Sequence, residues 1–109
     1  MTPYYLRRVP TRVGALALAD EGTGMPVVLW PSLFSDHRLF APMVPLLGDE
    51  WRTIRVDGPG FGQSDAPRGE VQPEVYADVV VDVLDALGLD RAFIVGCSWG
   101  GARSPRILV

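Results

Sequence analysis

Ser98 is the residue with the clearest chemical potential in this chain. It stands at the centre of Gly96-Cys97-Ser98-Trp99-Gly100, directly after the apolar run Ala92-Phe93-Ile94-Val95. A hydrophobic strand running into Gly-x-Ser-x-Gly is the nucleophile-elbow pattern, a serine on a tight strand-to-helix turn. Gly96 and Gly100 flank Ser98 at minus two and plus two, where side chains would collide if the chain reversed that sharply. A helix starting at Trp99 would aim its free N–H groups at whatever bonds to Ser98. Gly-x-Ser-x-Gly also arises by chance in glycine-rich loops; the strand directly before it is what favours chemistry. Cys97 is intrinsically the better nucleophile. The glycine spacing nevertheless puts residue 98 at the apex and turns Cys97 into the sheet as a small buried residue.

A serine hydroxyl is a weak nucleophile until a base takes its proton, and that base needs an acid to orient it. Residues 99–109 contain neither an acidic residue nor a histidine. The single histidine, His37, lies far upstream, one residue past Asp36, and reads as part of a helix's first turn rather than as the base.

The elements that must position Ser98 alternate in type. Residues 4–9 and 12–19 read as an antiparallel hairpin with a turn at Pro10-Thr11, followed by the turn cluster Asp20-Glu21-Gly22-Thr23-Gly24. Val27-Val28-Leu29-Trp30 is a continuously apolar run, as expected of a parallel strand buried on both faces. A loop and a weak helix through Leu39–Leu47 follow, limited by Pro42 and Pro45, with Ser35 a candidate N-cap and Asp36 suited to the first turn. Thr53-Ile54-Arg55-Val56 is the next strand. The clearest helix spans 73–87, with Pro73 at its first position, Val75, Val79, Val83, Leu84 and Leu87 at helical spacing, and Gly88 as its stop. Asp78, Asp82 and Asp85 fall on its opposite face and read as a solvated surface rather than a metal site. The order predicts an α/β fold, a mostly parallel sheet with an antiparallel N-terminal hairpin.

Composition narrows the function classes. The 109 residues suit one domain, and the net charge is −3 with every basic residue an arginine. Those arginines are scattered, so nucleic acid is not an expected partner. One cysteine excludes an internal disulfide and leaves no Cys/His set for zinc; a cytoplasmic setting is the natural expectation. No apolar stretch is long enough for a membrane span. Gly58 and Gly60 lack the third glycine of a dinucleotide loop, and no Lys-Ser/Thr follows for a phosphate loop. No cofactor or metal is expected.

Three blocks in order carry a resemblance: Val27–Phe34, Asp57-Gly58-Pro59-Gly60-Phe61-Gly62-Gln63-Ser64-Asp65, and Ile94–Gly101. Over roughly residues 13–101 the chain resembles the front part of the α/β-hydrolase superfamily, in the esterase, cofactor-free haloperoxidase and C–C hydrolase neighbourhood. The resemblance implies that Ser98 is the nucleophile, acting on an ester, lactone or similar small acyl substrate through an acyl-enzyme. It implies an oxyanion hole made by the backbone N–H of Trp99 and a second N–H from the loop after the earlier strand. Family members usually carry His-Gly in that loop where this chain has Trp30-Pro31, which puts the second donor at Ser32, with Leu33 its neighbour. Asp57 and Ser64 look like organisers of the glycine loop, and Trp30, Phe34, Phe61 and Trp99 could wall the pocket.

In this family the acid and histidine follow the nucleophile. Their absence, and a proline at 105 where the elbow helix should continue, predict an incomplete domain over 1–109 with an aberrant tail at 102–109. Activity of these residues alone is therefore doubtful, and the alternative is a non-catalytic remnant or half of a split enzyme. Ending near the elbow would leave the strand at 92–95 as an exposed edge, predicting self-association.

Overall fold

The computed structural model describes residues 6–31, 35–96 and 106–108. Among these residues six strands form one mixed sheet in the order β1-β2-β4-β3-β5-β6. β1 (Leu6–Thr11) and β2 (Gly14–Glu21) make the expected antiparallel hairpin. Its turn falls at Arg12-Val13 rather than at Pro10-Thr11. Pro10 sits inside β1 opposite Ala15, which is tolerated because β1 is the outermost strand and proline's missing donor costs least there. Thr11 shapes the turn with its hydroxyl, which donates to the Gly14 carbonyl at 2.6 Å and accepts from the Val13 N–H at 3.2 Å.

β3 (Met25–Trp30), β4 (Trp51–Val56) and β5 (Ala92–Gly96) run parallel to one another, and β4 is antiparallel to β2. The fold class is thus the expected one, with β3 in the centre and Val27 to Trp30 all buried. Between β3 and β4 the single weak helix resolves into a 3-10 segment, His37–Met43, and a four-residue α1, Val44–Leu47. The segment begins two residues earlier than the apolar spacing suggests because Asp36, not Ser35, caps it: the Asp36 carboxylate accepts from the Arg38 N–H at 2.8 Å.

α2 spans Pro73–Leu87, as its periodicity predicts. Gly88 ends it in the left-handed conformation (φ 70°), and the N–H groups of Gly88 and Leu89 return to the carbonyls of Asp85 and Leu84. Val79, Val80, Val83 and Leu84 are fully or almost fully buried against Leu16, Leu18, Val28, Ile54 and Val56. Each such side chain contributes about 1.5–3 kcal/mol through removal from water. The acidic face is not simply solvated. Arg12 pairs with Asp82 and Asp78, and Arg106 pairs with Asp85, so arginines from the hairpin turn and the C-terminal segment tie α2 down.

The C-terminal segment also departs from expectation. Ile107–Leu108 form β6, parallel to β5 and paired with Ala92 and Phe93. Ile107 joins the core, and Arg106 donates to the carbonyls of Asp90 and Leu89. Residues 106–108, within the stretch expected to be an aberrant tail, thus add an outer strand beside the first two residues of β5. Proline forbids a continuing helix but not an extended segment after it.

Candidate active site

The two stretches that carry the predicted site residues leave from adjacent strand ends. In the parallel pairing of β3 with β5, Trp30 stands opposite Gly96. Neighbouring strands lie about 4.8 Å apart, so the chain continuing into Pro31 and the chain continuing into residue 97 start side by side on the carboxyl edge of the sheet. That edge is where open α/β sheets bind ligands. Of the predicted nucleophile, oxyanion and elbow residues, Gly96 falls among those described; it closes β5 and is exposed. Ser98, Trp99, Ser32 and Gly100, with Cys97, Leu33 and Phe34, lie outside the described residues.

Asp57, the first residue after β4, organises this edge and is completely buried. One carboxylate oxygen accepts from both the backbone N–H and Nδ1 of His37, each at 2.7 Å. The other accepts from the Gln63 N–H at 2.9 Å. A buried carboxylate without donors would cost several kcal/mol; here three are supplied. Gly62 is required beside it, since a Cβ there would lie 2.3 Å from Oδ2 of Asp57. Ser64 completes the loop: its hydroxyl donates to the Asp57 carbonyl at 2.6 Å and accepts from the Ala17 N–H at 2.8 Å. Asp57 and Ser64 therefore do organise the glycine loop.

His37 sits on the first position of the 3-10 segment, 7% exposed. Its Nδ1 faces a carboxylate and so carries the proton. Arg55, itself buried on β4, donates from Nη1 to the His37 carbonyl at 3.1 Å and from Nη2 to Glu21 on β2. Sequence reasoning set His37 aside as a base and missed this network. The available signal was Arg55 and Asp57, two charges at alternating positions around the apolar Val56 at the end of a strand that reads as buried.

Asp36, His37 and Asp57 bring potential metal-ligand atoms within 4.8 Å of one another. Their hydrogen bonding does not suit a cation. The Nδ1 proton is committed to Asp57, and the Asp36 carboxylate is held by the Arg38 guanidinium at 2.7 to 3.1 Å. That contact also keeps the Asp36 carboxyl below its ordinary range.

The expected aromatic wall is only partly present among the described residues. Trp30 is 6% exposed and meets Tyr76 of α2 edge-to-face at 5.7 Å, so it belongs to the core. Trp30 and Tyr76 nevertheless present an edge, with half-buried Phe61, Pro31 and Pro59, to a cleft of only about 20 Å³ where β3 and β4 end. A larger open groove of about 740 Å³ lies on the hairpin side, between Arg12–Gly14 and residues 65–72, away from β5. No helix among the described residues is long and apolar enough to cross a membrane.

Sheet order, the β3–β5 strand ends and the glycine loop define an α/β-hydrolase-type domain. Residues 25–104 match the family model described as alpha/beta hydrolase fold, and the chain belongs to that family. It is 33% identical over 108 residues to haloalkane dehalogenase 2 of Mycobacterium tuberculosis, covering 98% of this chain and 38% of that protein. It is 36% identical over 75 residues to 3-oxoadipate enol-lactonase 1 of Acinetobacter baylyi, covering 69% and 28%. Among solved structures, a hydrolase from Pseudomonas aeruginosa superposes with a TM-score of 0.84 at 27% identity, covering 94% of this chain and 43% of that one. The chain thus spans well under half the length of these relatives.

Proposed function

We propose that this chain carries the nucleophile and oxyanion hole of a serine hydrolase acting on small ester, lactone or related acyl substrates. The observation that supports it most is the pairing of Gly96 with Trp30. It starts the stretch bearing Ser98 and Trp99 beside the stretch bearing Ser32, as a nucleophile and two backbone donors would need. In the reaction, Ser98 Oγ attacks the carbonyl carbon while a base takes its proton, and the Trp99 and Ser32 N–H groups hold the oxyanion. The leaving alkoxide departs with a proton, and water then releases the acid.

The relatives include a dehalogenase and a lactonase, and a serine chooses between them. Displacing halide with Oγ would form an alkyl ether, which water does not cleave, so the enzyme would stop after one event. Attack on an acyl carbon forms an ester, which water does cleave. Serine at position 98 therefore favours acyl chemistry.

A fluorophosphonate tests this: Oγ–P forms, P–F breaks, fluoride leaves and the hydroxyl proton passes to water. An oxyanion hole alone retains about 10³–10⁴-fold catalysis when triad members are missing. We expect slow labelling near background that is absent in Ser98→Ala; equal labelling of both proteins would overturn the reading. A second reading keeps the elbow as structure only, and residues 99–109 supply neither acid nor histidine to argue against it. Co-expression with the C-terminal part of a related hydrolase separates the two: esterase activity abolished by Ser98→Ala supports the serine nucleophile, and its absence supports the structural reading.

A further inference from the structure

The connection between β3 and the 3-10 segment is held at its far end by an unusual set of bonds. His37 uses its backbone N–H, its Nδ1 and its carbonyl at once, the first two on Asp57 and the third on Arg55. Both partners come from β4 and the residue just after it, and both are buried. Their outward neighbours are fixed as well, Asp57 by Gln63 and Arg55 by Glu21. At its near end the connection leaves Trp30, locked opposite Gly96 in the sheet. Only residues 31–36 lie between the two anchors, so fixing both ends restricts the few paths open to so short a segment.

We propose that His37 is a positioning residue, fixing where the chain leaving β3 re-enters the fold and, through that, the backbone donor assigned above to Ser32. This rests on the serine-hydrolase reading. Nothing in the role needs His37 to exchange protons with substrate. It needs a donor at the Nδ1 position, which asparagine can supply through its side-chain N–H₂ and phenylalanine cannot. Glutamine would place its donor near the Nε2 position instead, away from Asp57.

Two measurements on the whole chain test it. Amide hydrogen exchange at Ser35 to Arg38 should rise about tenfold in His37→Phe, the loss of one hydrogen bond to a charged group. Exchange in α2 should stay unchanged, and His37→Asn should remain within about threefold of the parent. The slow phosphonylation of Ser98 should follow the same order, because it reports the oxyanion hole and not stability. Unchanged exchange in His37→Phe, or failure of His37→Asn to restore it, overturns the proposal. If His37→Phe does not fold, His37→Asn protected and His37→Gln unprotected is the supporting result, and equal exchange in the two overturns it. Ordered exchange with parent labelling no greater than Ser98→Ala would instead remove the serine-hydrolase reading while leaving the clamp intact.

Discussion

Arg12, in the turn between β1 and β2, donates from its backbone N–H and its Nε to one carboxylate oxygen of Asp82 on α2, both at 2.9 Å, and from Nη2 to the other at 3.0 Å. A residue of the hairpin turn thereby fastens the sheet to the helix that covers it. The side-chain bonds from Arg12 hold the Asp82 carboxyl below its ordinary range, and Arg12 itself is raised by the same contact. Asp65 is lowered by the Ala15 N–H and then by Arg8.

These directions fix a pH dependence. A carboxyl whose folded-state value lies below its unfolded one, about 3.9 for aspartate, contributes stability above that value and loses it as pH falls through the folded value. Asp36, Asp65 and Asp82 all shift this way. Urea midpoints should be flat near neutrality and fall below about pH 4. Asp82→Asn should lower the midpoint at pH 7 and make the acid decline shallower. A variant as acid-sensitive as the parent would contradict this.

Gly62→Ala should destabilise by about 2–4 kcal/mol, from backbone strain and steric conflict together. Its φ is +54°, and the added Cβ would meet the buried Asp57 carboxylate. Gly69→Ala is the control: a Cβ there meets nothing within 4 Å, and the change should stay within about 0.5 kcal/mol. Denaturant titration of both reads the difference.

Leu84→Ala should cost about 2–5 kcal/mol because Leu84 is fully buried in the α2–sheet core. Leu46, in α1, is 83% exposed, and Leu46→Ala should fall within about 0.5 kcal/mol of the parent. Equal effects in thermal melts would mean that α2 does not pack as described.

Among the described residues, the outer strand β6 has two residues and pairs with Ala92 and Phe93. Beyond them β5 continues through Ile94 to Gly96 with Val95 42% exposed. Backbone without a partner among the described residues, beside an exposed apolar side chain, favours edge-to-edge association. Sedimentation should show concentration-dependent self-association that Val95→Lys reduces. A monodisperse monomer with a sharp melt would refute it.

Sequence alone determined what depends on local period and turn chemistry. α2 was legible from end to end because Pro73, the apolar spacing and Gly88 each speak to neighbours within a few residues. The β3 run was legible because a strand buried on both faces must be apolar throughout. Ser98 and its glycines were legible as a pattern for the same reason: an elbow's constraint spans five residues. Tertiary structure decided what depends on residues far apart in the chain. The Arg12–Asp82 tie, β6 alongside β5, and the His37–Asp57–Arg55 network each join residues 15 to 70 apart or bury a charge among strands. A histidine or an aspartate has no period, and its role becomes visible only when packing removes water and leaves another side chain as its partner.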